Sequence, residues 1–220
     1  PYIDQVAIDF PDHDGGVPAE DVEKIFDRFL GPGMVALDLG CGNGRVARRL
    51  AERGLLVWAA DLNFAGLLDF ARSFGPPKGV GIVMTDARKL PFEDSSLDAV
   101  VFSYNGMDMI APEEDRLVTL RESRRVLKPG GYFIFSSHNP VGAILSPRGL
   151  RSKQLWRWRL RFIQTRSFRK EYFRDIKDLL MYQATPANVI AQVTKHTDLR
   201  LEFSSTTRSG FEWPRPLTTL

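Results

Sequence analysis

Asp38 stands two residues before the glycine cluster Gly40-Cys41-Gly42-Asn43-Gly44, at the end of the apolar run "MVALDL", and a second carboxylate, Asp61, closes the next apolar run in "VWAADLN". Glycines at 40, 42 and 44 permit positive φ and let the backbone approach a ligand closely, and the helix that follows them offers free N–H groups at its first turn. A GxGxxG spacing would suit a dinucleotide, but the spacing here is GxGxG. Asp38 would repel a pyrophosphate yet suits a ligand carrying an ammonium group, while Asp61 can accept both hydroxyls of a ribose. Together they describe a nucleoside whose far end is cationic rather than phosphorylated. Without the two carboxylates the same glycines would be only a tight strand-to-helix connection.

Such residues work only if strands and helices bring them to one edge. Short apolar runs predict strands at Val35–Leu39, Leu55–Ala60, Val80–Thr85, Leu97–Ser103 and Tyr132–Ser137, and helical periodicity fills the gaps at Arg45–Arg53, Asn63–Phe74 and Glu113–Leu127. The last helix is expected to end at "KPGG", Lys128–Gly131. Strands that are apolar almost throughout and alternate with helices argue for an α/β three-layer sandwich. Its sheet would be doubly wound and mostly parallel. Ligands in such sheets bind at the carboxyl ends of the strands, near the point where strand order reverses, which is where the glycine cluster falls.

S-adenosylmethionine is a nucleoside of the kind the two carboxylates call for. At these residues the sequence resembles the class I S-adenosylmethionine-dependent methyltransferases, especially their small-molecule group. "ALDLGCGNGRVARRLAERG" resembles the family's first motif and "ADLN" its second; "TDARKLPFEDSSLDAVVFS" is similar to the third and fourth, and "LRESRRVLKPGGYFIFSSHN" to the segment ending in the fifth strand. The resemblance covers residues 34 to 139 in order. It implies a Rossmann-like methyltransferase fold and an enzyme with S-adenosyl-L-methionine as cofactor and S-adenosyl-L-homocysteine as product. By the same resemblance Asp38, Gly40, Cys41, Gly42 and Gly44 hold the methionine part, Asp61 the ribose, and Leu62 and Asn63 the adenine edge. Asp86 and Ala87 match the pair that meets the adenine amine and ring nitrogen, although Asp86 also reads as a simple turn cap. Ser103 matches a cofactor-side position. No metal is expected.

Methyl transfer from a sulfonium is an in-line displacement, so the protein must align an acceptor, exclude water and, for an alcohol or a protonated amine, remove a proton. His138 directly follows the fifth strand, and its near-neutral pKa would suit a general base; a strand-end cap is the other reading. Tyr104, Asn105 and Asp108 follow the fourth strand and could orient a polar acceptor or shape a loop around Gly106. His13 and His196 fit solvated or capping roles.

The insert after the fifth strand is basic and aromatic. From Arg148 to Lys177 there are eleven Lys or Arg against two acids, a local charge of 11 − 2 = +9 in a chain whose total is +3. A solvated helical face accounts for such a stretch, and a membrane or RNA surface would also suit it. The functional expectation is a mostly helical cover over Trp156–Tyr182, with Arg157, Arg159, Arg161 and Arg166 facing an anionic group on a small-molecule acceptor and Tyr172 and Tyr182 at the active site. Nucleic acid is disfavoured because no RNA-binding module is visible, while contact with a membrane surface stays open.

The chain of 220 residues, 43% of them apolar, suffices for one core. The expectation is a single methyltransferase domain over 1–220: an N-terminal lid and helix (1–33, with Tyr2, Ile3 and Phe10 as lid or core residues), a cofactor core (34–139), the insert (140–184), and a C-terminal helix and strand (185–220). A lone cysteine, no apolar run of about 20 residues and no signal peptide predict a soluble, cytoplasmic protein. "LRLEFSST" reads as a sixth strand, and the family's reversed seventh strand is not legible after it, so the chain is expected to be part of a longer protein. A non-catalytic module that binds the same cofactor and a Rossmann-type oxidoreductase are the competing readings, the second disfavoured by Asp38 and by GxGxG.

Overall fold

A computed structural model of the chain describes residues 2–7, 20–73, 75, 77–137, 171–174 and 180–206. The five anticipated runs form strands β2 (Val35–Leu39), β3 (Leu56–Asp61), β4 (Val80–Met84), β5 (Leu97–Phe102) and β6 (Leu127–Ser136). With β1 (Tyr2–Ala7) and β9 (Arg200–Thr206) they make a seven-stranded sheet of order β4-β3-β2-β5-β6-β1-β9. Every neighbouring pair in it is parallel. The order reverses between β2 and β5, so their carboxyl ends flank the crevice where an open sheet of this kind takes a ligand.

Alternation along β2 shows how the layers are built. Ala36 packs with residues from α1 (Glu20–Phe29), α2 (Arg45–Glu52) and α3 (Phe64–Ser73), among them Phe26, Leu50 and Phe70. Leu37 and Leu39 point to the opposite cluster, with Leu120 of α4 (Glu113–Val126) and Val189 and Val193 of α5 (Pro186–His196). Each large apolar side chain buried this way contributes about 1.5–3 kcal/mol, against about 0–1 kcal/mol for an exposed ion pair, so the two apolar clusters hold the sandwich together.

Three expectations change. The N-terminal residues Tyr2 and Ile3 stand in a strand, β1, paired with Tyr132 and Phe133 on one side and with Arg200 and Leu201 on the other; Phe10 lies outside the described residues. Helix α4 stops at Val126 and β6 begins at once, so Lys128–Gly131 form an irregularity inside the strand, where the register against β5 slips between Leu97 and Ala99. Of the mostly helical cover expected over Trp156–Tyr182, the described part is an antiparallel ribbon, β7 (Glu171–Arg174) with β8 (Leu180–Gln183), and the remainder lies outside the described residues. Aromatic residues such as Tyr172 and Phe173 favour strand pairing over a helix. The reversed seventh strand would follow residue 206, outside the described residues.

Candidate functional site

The three glycines of the turn play different parts. Gly40 and Gly44 have φ of +69° and +75°, and a Cβ on either would collide with a ring: 2.8 Å from Phe102 for Gly40 and 2.3 Å from Phe70 for Gly44. These two are close-approach glycines that let the turn sit on the core. Gly42, at φ +53°, would carry a Cβ into open space. Its N–H donates to Asp61 Oδ2 over 2.8 Å. Asp61 Oδ1 accepts from the Asn63 N–H, also at 2.8 Å. The second carboxylate is thereby fixed against the glycine turn across 19 residues of sequence.

Asp38 is buried at the end of β2, and its Oδ2 accepts from the Ala47 N–H of α2 at 2.8 Å. Burial pushes its carboxyl up to about 8; the Ala47 hydrogen bond and the Arg45 guanidinium oppose the rise, and the neighbouring Asp61 adds to it. With a second acid beside it, the buried carboxyl stays raised despite Arg45, and a ligand ammonium would favour its charged form. Cys41 is buried in the same turn, and its thiol is pushed above its ordinary value by burial and by Asp38 and Asp61. It packs there rather than reacting.

On the far side of Asp61, Leu62 is two-thirds exposed, an apolar side chain standing free at the strand end. Asn63 turns its side chain to the start of α3, where Oδ1 accepts from the N–H groups of Ala65 at 3.1 Å and Gly66 at 3.3 Å. Asp86 follows β4 and is gripped by Arg88, whose Nε lies 3.0 Å from each carboxylate oxygen and whose backbone N–H donates to Oδ1 at 2.9 Å. The Arg88 hydrogen bonds hold the Asp86 carboxyl below its ordinary value. The turn-capping alternative for Asp86 is therefore present in the structure, together with an ion pair. Ala87 is buried beside it.

After β5 the backbone is strained. Tyr104 and Asn105 are consecutive left-handed residues, at φ +57° and +58°, a conformation that costs on the order of 1–3 kcal/mol for a tyrosine and collects at functional sites. Ser103 is buried at the end of β5, and the Asn105 N–H donates to Ser136 Oγ at 2.7 Å. The Arg45 guanidinium lies 3.7 Å from the centroid of the Tyr104 ring, and burial raises the Tyr104 phenol above its ordinary value despite Arg45. A protonated phenol in that place donates a hydrogen bond and does not act as a base.

Asp108 and Tyr182 do not face open space. Both are fully buried, Asp108 beside Arg116 at 3.6 Å and Tyr182 with its ring 3.8 Å from the Arg116 guanidinium carbon. Of the two sequence readings for Asp108 the structure favours loop shaping, and of those for Tyr182 it favours packing. Tyr172 pairs with Tyr182 across the ribbon. His138 and Arg157 lie outside the described residues, as do His13, Arg159, Arg161 and Arg166.

Residues 37–135, the span from β2 to β6, match the family described as "Methyltransferase domain". Over that span the chain carries a methyltransferase domain, similar to those of class I S-adenosylmethionine-dependent methyltransferases. Over 102 residues it is 38% identical to a demethylmenaquinone methyltransferase of Corynebacterium urealyticum, a stretch covering 46% of this chain and 40% of that protein. A fatty-acid O-methyltransferase of Mycolicibacterium smegmatis is 37% identical over 110 residues, 49% of this chain and 38% of that one. The matches thus span about two fifths of the length of these relatives. In fold, the chain resembles an S-adenosylmethionine-dependent methyltransferase from Methanosarcina mazei, with a TM-score of 0.62 at 23% identity over 78% of this chain and 82% of that one.

The methyltransferase domain brings Asp38, the glycine turn, Asp61, Ser103 and Tyr104 to one edge of the sheet. S-adenosylmethionine is the cofactor of such a domain, and the open side of Gly42 between two carboxylates fits it. Two arginines of the domain were not singled out from the sequence: Arg45, which follows the glycine turn directly, and Arg116. Arg45 could have been noticed from its place next to Gly44, whereas Arg116 sits in a helix rich in charge and carries no local signal.

Proposed function

We propose that this protein transfers a methyl group from S-adenosylmethionine to an O or N atom of a small organic acceptor bearing an anionic group. The observation that carries the cofactor half is the pair of carboxylates around an open glycine: Asp38 for the ammonium, Asp61 for the ribose hydroxyls, with the Gly42 side free for the ligand. Leu62 offers an apolar wall for the adenine, and an adenine amine would share the Asp86 carboxylate with Arg88. When bound, the cofactor supplies an electrophilic methyl on a sulfonium. The chain's own residues would do the rest. Tyr104 donates a hydrogen bond that orients the acceptor, and His138, one residue beyond the buried Ser137, takes its proton. Support for a small organic acceptor comes from the names of the two relatives above; support for an anionic one comes from the +9 charge between Arg148 and Lys177.

Incubating the protein with methyl-labelled S-adenosylmethionine and a fractionated metabolite extract tests the proposal. Label should appear in a discrete small-molecule fraction, retained on an anion exchanger, with S-adenosylhomocysteine formed in equal amount. His138→Ala should slow that transfer by roughly 10². Cofactor binding with no labelled product would leave a non-catalytic module, and label on RNA would assign the insert to nucleic acid.

A further inference from the structure

Arg116 stands in the first turn of α4, among the charged residues Glu113, Glu114 and Asp115, and is nevertheless fully buried. Burying a guanidinium is costly unless its forked donors and its flat face find partners. One nitrogen donates to the Met107 carbonyl and lies 3.6 Å from Asp108 Oδ1, another donates to Gln192 Oε1 at 3.2 Å, and the plane stacks on Tyr182. The 3-10 turn Gly106–Met109 after β5, helix α5 and strand β8 of the ribbon therefore meet on one side chain.

The same turn is fastened toward the cofactor side. Asp108 Oδ1 accepts from Ser137 Oγ at 2.9 Å, and one residue earlier, at the end of β6, Ser136 Oγ accepts the Asn105 N–H. Tyr104, next in the chain, lies under Arg45, the first residue of α2 after the glycine turn. The ribbon, by contrast, is two short strands, an arrangement that is marginal in water unless it docks on something. Tyr182 and Ala184 belong to the core cluster on the α4 side, and the charged plane beneath Tyr182 is held rigid by the turn.

We propose that Arg116 is a positioning residue that ties the ribbon to the turn after β5, so that filling the glycine-turn site steadies the ribbon bordering the acceptor side. A lysine could keep the charge but not the stacking plane or the second donor direction. The tie itself depends on nothing but these contacts; its response to ligand rests on the cofactor reading above.

Hydrogen exchange on the whole chain tests it, using wild type, Arg116→Lys and Tyr182→Leu, each with and without S-adenosylhomocysteine. Tyr182→Leu removes the stacking from the ribbon side without leaving a buried charge unpaired, and so covers the case in which the lysine variant does not fold. Without ligand, amides of residues 180–183 should exchange about tenfold faster in both variants than in wild type, with residues 35–61 unchanged. With ligand, wild type should gain protection at 103–109 and at 180–183, whereas the variants, binding S-adenosylhomocysteine within about threefold of wild type, should gain it only at 103–109. Ribbon exchange equal in all three proteins would overturn the tie, as would ligand protection of the ribbon that survives both substitutions. If wild type binds no S-adenosylhomocysteine the cofactor reading fails, and the ligand-free comparison alone then upholds or overturns the tie.

Discussion

On the proposed reading, in which Asp38 meets the ligand ammonium, it couples fold and ligand through one proton. Its carboxyl titrates near 8 in the folded chain against an ordinary 3.8, so between those values the folded protein holds a proton that the unfolded chain has released. Its contribution to stability is present below about pH 4 and is lost as pH rises through about 8. A ligand ammonium needs the carboxylate instead. Binding of S-adenosylhomocysteine at pH 7 should therefore expel a proton, detectable by calorimetry in two buffers of different ionisation enthalpy, and affinity should rise from pH 6 and level near pH 8. Asp38→Asn should abolish both effects; binding without proton release in wild type would place the ammonium elsewhere. Asp38 and Asp61 were legible because their meaning lies in a few adjacent residues, a carboxylate beside glycines and a carboxylate ending an apolar run. Arg116 was not, because an arginine in a polar helix reads as solvated and its partner Gln192 is 76 residues away.

Within the strand-to-helix turn, Gly42 and Gly44 share a left-handed backbone but differ in what a methyl group would meet. Gly44→Ala would place a carbon 2.3 Å from the Phe70 ring, adding about 1–3 kcal/mol of overpacking to about 1–2 kcal/mol of backbone strain. Gly42→Ala carries only the strain. Thermal unfolding should accordingly show a large loss of midpoint for Gly44→Ala and a small one for Gly42→Ala, while calorimetry shows Gly42→Ala, folded, losing affinity on the order of tenfold. Equal stability losses with unchanged ligand affinity would remove Gly42 from the site. Strands β2 to β6 were readable because a parallel sheet covered on both faces leaves continuous apolar runs. The ribbon and β1 were not: "YIDQVA" becomes a strand through pairing with β6 and β9, more than a hundred residues away, and nothing local announces those partners.

Across the whole molecule, charge is divided. The stretch Arg148–Lys177 carries +9, which leaves 3 − 9 = −6 for the rest of the chain. If that stretch gathers an anionic acceptor, kcat/KM for the acceptor found in the labelling screen should fall as salt rises toward 0.1 M and beyond, where the screening length drops to about 10 Å, while cofactor affinity changes little. A rate indifferent to salt would separate the basic stretch from substrate capture. No helix among the described residues is long and apolar enough to cross a membrane. On the proposed reading, two carboxylates and an open glycine at the switch point of a parallel sheet hold S-adenosylmethionine. Titration calorimetry of wild type and Asp61→Ala with S-adenosylhomocysteine and with NAD addresses it directly. Wild type should bind one S-adenosylhomocysteine tightly and NAD negligibly, and Asp61→Ala, still folded, should lose about 10- to 100-fold in affinity as the ribose hydroxyls lose a charged acceptor. NAD binding as well as or better than S-adenosylhomocysteine, or an Asp61→Ala protein with undiminished affinity, would contradict it.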